Sequence, residues 1–261
     1  MESLNLRKKN EEKHYDSKAL KEDFFISENG SDSMNPFLSS PYVYAEQWIM
    51  GNCQNKKVLD FGCGQGTFSV FPTQSGAEVV GVDISSKSLE FSKERARRGN
   101  LLEKTNFIKG DCEDLPFEER SFDIILSYGT LSCLDVKRAY LEMSRVLKAD
   151  GKVIIVDTLG YNPILNLNRW IKYKRGLRTR QTVENILKMG DVYLANRYFE
   201  KIESIKFFDF TTVFLASLTR NKNWWGWLFR ALKKIDDALF ELSFFRYLAF
   251  KVVFVLSKPR K

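Results

Sequence analysis

The residues best placed to do chemistry lie in Val58-Leu59-Asp60-Phe61-Gly62-Cys63-Gly64-Gln65-Gly66, where an acid stands two positions ahead of three alternating glycines. Glycine accepts backbone angles that other residues resist. Such a turn brings main chain close to a ligand and bends tightly into a helix. Asp83 follows 23 residues after Asp60, and a third acid stands in Gly110-Asp111-Cys112. An acid at the place of Asp83 can accept both hydroxyls of a ribose. The pattern implies a nucleotide-like ligand.

These residues need a scaffold, and the flanking segments supply one. KVLDFG (57–62), EVVGVD (78–83), TNFIKGD (105–111), SFDIILSYG (121–129) and KVIIVDT (152–158) read as strands. The continuous apolar run Ile124-Ile125-Leu126 suits a strand buried on both faces. Residues 85–98 read as a helix capped by Ser85 or Ser86. Residues 136–151 read as an amphipathic helix with Ala139/Tyr140, Met143 and Val146/Leu147 on its apolar stripe. Strand and helix alternate at the spacing of a parallel, doubly wound α/β sheet. Asp60, Asp83 and Asp111 then fall at the C-terminal ends of strands, where open α/β sheets bind ligands.

The glycine spacing sorts the ligands. A dinucleotide site reads G-x-G-x-x-G and presents a helix N-terminus to pyrophosphate. Here the spacing is G-x-G-x-G, with anions close by, which fits a cationic ligand such as a sulfonium carrying an amino-acid head group. An NAD-dependent oxidoreductase is opposed by the same spacing.

VLDFGCGQG, VVGVDIS, KGDCEDLPFEERSFDIILS and LEMSRVLKADGKVII together resemble the class I S-adenosylmethionine-dependent methyltransferases. More narrowly, they are similar to the small-molecule, quinone-biosynthesis-like group with a type 11 domain. The resemblance covers about 117 positions, roughly residues 42–158. It implies a Rossmann-like seven-stranded sheet in the order 3-2-1-4-5-7-6, with strand 7 antiparallel. KIESIKFFDF (201–210) and FKVVFVLSKP (250–259) are the candidates for the last two strands. It also implies S-adenosyl-L-methionine as cofactor. Asp60, Gly62, Cys63 and Gly64 would then line its methionine end, Gly66 would permit close packing, and Asp83 and Ile84 would meet the ribose. Asp111 and Cys112 would meet the adenine, and the Ser127 carbonyl the ammonium. Tyr128 would lie where cofactor and acceptor meet.

The departure from the family is chemical. After the fourth strand, many relatives carry histidine. This chain has Tyr128-Gly129-Thr130-Leu131-Ser132-Cys133-Leu134. Base-assisted transfer is left with Tyr128, Asp135, His14 or Tyr15 as candidates, and none is singled out. An amine acceptor needs only a neutral lone pair.

Charge is unevenly spread. Residues 1–160 carry 21 cations and 25 anions, and residues 161–261 carry 20 and 8, with 20 of the 36 aromatics. The excess therefore belongs to the C-terminal part. Its cluster Arg169, Lys172, Lys174, Arg175, Arg178, Arg180 reads either as a solvated face or as a site for an anionic acceptor or lipid. Trp224-Trp225-x-Trp227 precedes an amphipathic helix over 226–243, with Leu228, Ala231, Leu232, Ile235, Leu239 and Leu242 on its apolar face. The tryptophans are expected to pack between strands six and seven, with interfacial membrane contact through 221–246 as the alternative. RNA is ranked lower, because no RNA-binding module accompanies the basic and aromatic residues.

Other classes are excluded. The longest uncharged run, Phe61–Ala77, is glycine-rich and contains Pro72, so it is no membrane span. The N-terminal segment has no apolar core of the kind a signal peptide carries. Cys53, Cys63, Cys112 and Cys133 lack paired spacing and His14 stands alone, so no metal site is expected. Reduced thiols and a cytoplasmic location are expected. Neither a Pro-Cys pair nor Asn-Pro-Pro-Tyr is present, which argues against DNA methylation.

The expected organisation is an N-terminal arm or lid (1–45, helical near 12–25), a cofactor-binding core (46–160), a helical cap (161–200) and the last strands with a helical insertion (201–261, insertion 221–246). The expected function is methyl transfer to O or N of a small biosynthetic acceptor, anionic or glycosylated. A lipid or isoprenoid-quinone acceptor at a membrane surface is the alternative. A non-catalytic module on the same fold is the reading from another class.

Overall fold

A computed structural model describes residues 2–21, 38–213 and 222–260. Residues 22–25 of the expected arm helix and residue 221 of the insertion lie outside the described residues.

The elements in chain order are α1 (Glu2–Lys21), α2 (Ser40–Met50), β1 (Lys57–Phe61), α3 (Val70–Gln74), β2 (Glu78–Asp83), α4 (Ser86–Arg98), β3 (Thr105–Lys109), β4 (Phe122–Tyr128), α5 (Val136–Val146) and β5 (Leu147–Thr158). There follow α6 (Pro163–Lys174), α7 (Arg180–Glu184), α8 (Met189–Leu194), β6 (Phe199–Phe208), α9 (Lys222–Phe240) and β7 (Lys251–Pro259). The strands form one sheet in the order β3-β2-β1-β4-β5-β7-β6. β7 runs antiparallel to both its neighbours, and the remaining pairs are parallel. This is the architecture the motifs implied.

The sheet is buried on both faces because its central strands carry continuous apolar runs such as Ile124-Ile125-Leu126 and Val153-Ile154-Ile155-Val156. Phe61, Ile125, Ile155 and Phe254 point into one core with Tyr140 and Met143 of α5. Val58, Ile124, Leu126, Ile154 and Val255 point into the other with Tyr42, Ala45 and Ile49 of α2. Side chains alternate across a strand, so one continuous apolar run serves two layers. Each fully buried aliphatic side chain contributes about 1.5–3 kcal/mol.

Helix α4 starts where Ser85 accepts the Ser88 N–H at 3.0 Å, and it ends on Arg95, Arg97 and Arg98, which complement its dipole.

Three local expectations are corrected. β5 begins at Leu147 rather than at 152, because Leu147 pairs with Phe122 across a register shift in β4. The buried face of α9 is turned relative to the expected one. Asp236 and Phe240 face inward, whereas Ile235 and Leu242 are exposed. Trp225 and Trp227 do not pack between the last two strands, which are hydrogen-bonded neighbours; the Trp224 side chain lies outside what is described. Trp225 is exposed, and Trp227 is 65% exposed.

Candidate active site

The C-terminal ends of β1, β2 and β4 and the loop after β3 open into one cavity of about 850 Å³, covered by α1 and by residues 172–182. That volume suits a cofactor and a small partner together.

The glycine loop forms the floor. Gly62, Gly64 and Gly66 adopt φ of 75°, 53° and 72°, in the left-handed region that favours glycine. A Cβ on Gly62 would lie 2.4 Å from the Thr130 Cγ2, so the loop can touch the β4 exit only as glycine. At Gly64 the same construction meets open space, which leaves the backbone bare toward the cavity. Gly66 lies against Ser92 of α4, which explains why a helix can pack on the turn.

Asp83 is held by two backbone donors. The Gly64 N–H reaches its Oδ2 and the Ser85 N–H its Oδ1, both at 2.9 Å. Burial raises its pKa, and these two donors pull the other way. Asp60 is buried at the end of β1 and accepts the Ser69 hydroxyl at 2.5 Å. Burial pushes it up to about 7, opposed by Ser69 and reinforced by Asp83. Asp111 forms an ion pair with Lys8 of α1, and its Oδ1 accepts the Glu113 N–H at 2.9 Å.

Asp60, Gly62, Cys63, Gly64, Asp83, Ile84, Asp111 and Cys112 all line the cavity. Gly66 and Ser127 do not. Ser127 is fully buried, and its hydroxyl has no partner among the described residues. Burial pushes the Cys63 and Cys112 thiols well above the ordinary range, which leaves them as small neutral residues. All four cysteines are unpaired.

The base candidates separate. Tyr128 stacks on Phe68 with ring centroids 4.1 Å apart, and Phe68 stacks in turn on Tyr42 at 5.2 Å. The Tyr128 hydroxyl is buried without a partner among the described residues, and burial holds its proton firmly. Tyr15 shares a hydrogen bond with the Cys133 Sγ at 3.0 Å, and burial likewise raises its pKa. His14 lines the cavity edge-on to Tyr15. Asp135 is not on the wall. Its carboxylate caps α5, accepting the Lys137 N–H at 2.9 Å.

Sequence reasoning missed several wall residues. Lys8 and Glu11 come from α1, Phe68 from the segment after the glycine loop, Thr130 from the turn after β4, and Lys251 from the start of β7. Lys172 and Arg178 belong to the cationic cluster already noted, in the 161–200 segment expected to build the acceptor pocket with residues 1–45, and the cavity wall includes both.

Residues 59–155 match the family described as "Methyltransferase domain". A demethylmenaquinone methyltransferase of Staphylococcus aureus is 35% identical over 113 residues, which cover 42% of this chain and 46% of that protein. An uncharacterized protein of Haemophilus influenzae is 33% identical over 122 residues, 44% of this chain and 49% of its own length. The chain thus spans about half the length of these curated relatives. Among solved structures, a geranyl diphosphate methyltransferase in complex with GPP and sinefungin superposes with a TM-score of 0.58, at 19% identity over 84% of this chain and 80% of its own. The geranyl diphosphate C-methyltransferase of Streptomyces coelicolor A3(2), in complex with Mg2+, geranyl diphosphate and S-adenosyl-L-homocysteine, gives 0.55 at 18% identity over 83% and 79%.

The sheet order and the glycine loop define a Rossmann-like methyltransferase fold. Residues 59–155 are a class I S-adenosylmethionine-dependent methyltransferase domain.

Proposed function

We propose that this chain transfers a methyl group from S-adenosyl-L-methionine to O or N of a small-molecule acceptor. The observation that carries the reading is the coupling of loop to acid: the Gly64 N–H fixes Asp83 while Gly64 itself stands bare toward the cavity.

The wall fits this cofactor. The Asp83 carboxylate is oriented to accept two ribose hydroxyls. Asp111 and the Cys112 N–H stand one strand further out, toward an adenine edge. Asp60 offers a buried negative charge to the ammonium. The bound cofactor supplies an electrophilic methyl carbon on a sulfonium. The acceptor lone pair forms the new bond as the C–S bond breaks. The bonding pair stays on sulfur, and the acceptor gives up a proton where it had one.

The protein's contribution is positioning and exclusion of water, worth up to about 7–11 kcal/mol in favourable cases. α1 roofs the cavity, and Phe68 and Tyr128, with Tyr42 stacked on Phe68, wall it at the β4 end. Neither Tyr15 nor Tyr128 supplies a phenolate, because burial keeps both protonated. Of the four base candidates named from the sequence, His14 is the one left on the wall. This set favours an acceptor that is already nucleophilic, such as a neutral amine.

Titration calorimetry with S-adenosyl-L-homocysteine tests the reading. Binding at micromolar concentration that Asp83→Ala weakens at least tenfold supports it. Absence of binding leaves the non-catalytic module in its place.

A second reading has its own observation. Around α9, Trp225, Trp227, Leu242 and Phe244 are exposed, the last by 70%. Arg230, Lys233 and Lys234 are exposed on the same helix. Exposed aromatics beside cations suit the surface of an anionic bilayer and an acceptor carried there. Among the described residues no helix is long and apolar enough to cross a membrane. Flotation with phosphatidylglycerol vesicles distinguishes the two readings, and a chain that stays at the bottom of the gradient removes the second.

A further inference from the structure

The cavity is electrically divided along the sheet. Its acids, Asp60, Asp83 and Asp111, stand at β1, β2 and just after β3. On the other side of Tyr128, toward β5 and β7, the wall carries Lys172 from α6, Arg178 from the loop before α7, and Lys251 from the start of β7. These three cations come from separate elements and line the same cavity.

None of the three forms an ion pair among the described residues. Lys251 is only 7% exposed, and its ammonium lies 5.2 Å from the Tyr42 ring centroid and 5.8 Å from that of Phe250. Behind them Arg169 is buried, donating to the Asn166 Oδ1 at 2.6 Å and to the Leu159 carbonyl at 3.3 Å. Burial, and next the charge of Arg178, push its pKa down to about 10.

The opposing charges are three: Asp157, Glu11 and Asp209, the last buried and close enough to Lys251 to feel its charge. Asp157 is buried near the end of β5 and accepts the Thr158 N–H at 2.6 Å and the Leu131 N–H at 3.1 Å. Glu11 of α1 reaches Thr179, and burial raises its pKa. His14 and Lys18 of α1 also line the cavity. With Arg169 the cations number four against these three acids. Lys251 is buried, Arg178 half-buried and Lys172 exposed, and a buried cation is costly unless an anion joins it.

We infer that the β5–β7 end of the cavity is an anion subsite, built by Arg178, Lys172 and Lys251, that holds a phosphate-type group of the methyl acceptor. Three donors from three directions suit a group with several anionic oxygens better than a lone carboxylate, and a guanidinium among them can bind two oxygens at once. The subsite lies beyond Tyr128 from the acids, so the anion and the cationic cofactor occupy opposite ends. The assignment to the acceptor rests on the methyltransferase reading. The anion subsite itself does not.

The experiment is calorimetric titration of inorganic pyrophosphate, with acetate as the monoanion control, into the full chain with and without S-adenosyl-L-homocysteine. The subsite predicts pyrophosphate binding at least tenfold tighter than acetate. It also predicts at least a tenfold loss in Arg178→Gln/Lys172→Gln, with S-adenosyl-L-homocysteine affinity changed less than twofold. Both substitutions lie at the cavity rim, and an unchanged melting temperature verifies the fold. Pyrophosphate binding equal in the double variant and the unaltered chain, or no preference over acetate, overturns the inference. If S-adenosyl-L-homocysteine fails to bind, the methyltransferase reading falls, and the pyrophosphate series still decides the subsite.

Discussion

Lys8 of α1 is ion-paired with Asp111 in the loop that follows β3. It is one of several polar ties that hold the roof on the site. Arg7 meets Glu113 at 2.5 Å, Glu12 meets Lys109 at 2.5 Å, and Asp16 accepts the Ser85 hydroxyl at 2.6 Å and the Lys87 N–H at 3.1 Å. Apolar packing adds little, since Leu6 and Leu20 of the same helix are exposed. Partly exposed ion pairs are modest and screened by salt.

Lys8→Ala is therefore expected to loosen α1 without unfolding the sheet. Tryptic cleavage at Lys9 or Lys13 should rise several-fold, more so at high salt, while the melting temperature moves little. The two partners of the pair should also part in binding. Asp111→Ala should weaken S-adenosyl-L-homocysteine about tenfold, because an adenine partner is lost. Lys8→Ala should not, because it only frees the carboxylate. Equal losses in the two variants would count against the adenine assignment.

The contact between Gly62 and Thr130 makes a sharper demand. Gly62 sits at φ 75°, and an added Cβ would meet the Thr130 Cγ2 at 2.4 Å and Oγ1 at 2.5 Å. The Thr130 hydroxyl is already donated to the Phe61 carbonyl at 3.1 Å, so it has a reason to stay. Gly62→Ala is expected to cost about 1–2 kcal/mol for the left-handed backbone alone, plus the clash. S-adenosyl-L-homocysteine binding should fall beyond tenfold. Thr130→Gly in the same chain should restore part of the binding but not the backbone cost, and urea denaturation together with calorimetry separates the two.

The contrast between local and distant signals explains what the sequence disclosed. Ile124-Ile125-Leu126, the alternating glycines and the three acids are local patterns, and each strand end carries its own acid. The sheet order followed from these motifs and the family they resemble. The roof and the anion end are assembled by the fold. Lys8 meets Asp111 across 103 positions, and Lys251 reaches the wall only because β7 returns antiparallel beside β5. The phase of α9 was obscured for another reason. Apolar residues occupy more than one of its sides, and the buried side is chosen by a carboxylate, Asp236, rather than by the Leu and Ile stripe.

Asp60 gives the site a pH dependence. Burial pushes its carboxyl up to about 7. The folded chain therefore holds this proton more tightly than the unfolded chain, whose carboxyl titrates near 3.8. Unfolding releases the proton between those values, so the Asp60 contribution to stability falls as pH rises through that window. A cationic ligand reverses the preference, since its ammonium favours the ionised carboxylate. From pH 6 to pH 8, S-adenosylmethionine affinity is expected to rise about tenfold, as the ionised fraction grows through a pKa of about 7. Asp60→Asn should bind weakly and flatten the profile. A profile unchanged in Asp60→Asn would assign the dependence to another group.

Asp236 tests how the last part of the chain is held together. It is 3% exposed. Its carboxylate accepts the Phe210 N–H at 3.0 Å, the Thr211 N–H and hydroxyl at 2.7 Å each, and the Thr212 hydroxyl at 3.2 Å. One side chain of α9 thus satisfies the backbone where β6 ends. Removing it leaves several buried donors unpaired, so Asp236→Ala should destabilise the chain by about 3 kcal/mol in urea. Asp236→Asn keeps an acceptor oxygen and should cost roughly half as much. Asp237, one position on and exposed, should tolerate alanine within about 0.5 kcal/mol. Two adjacent acids with such different costs would establish that the inward face of α9 is set by Asp236. Equal costs would return the helix to the phase expected from its leucines and isoleucine.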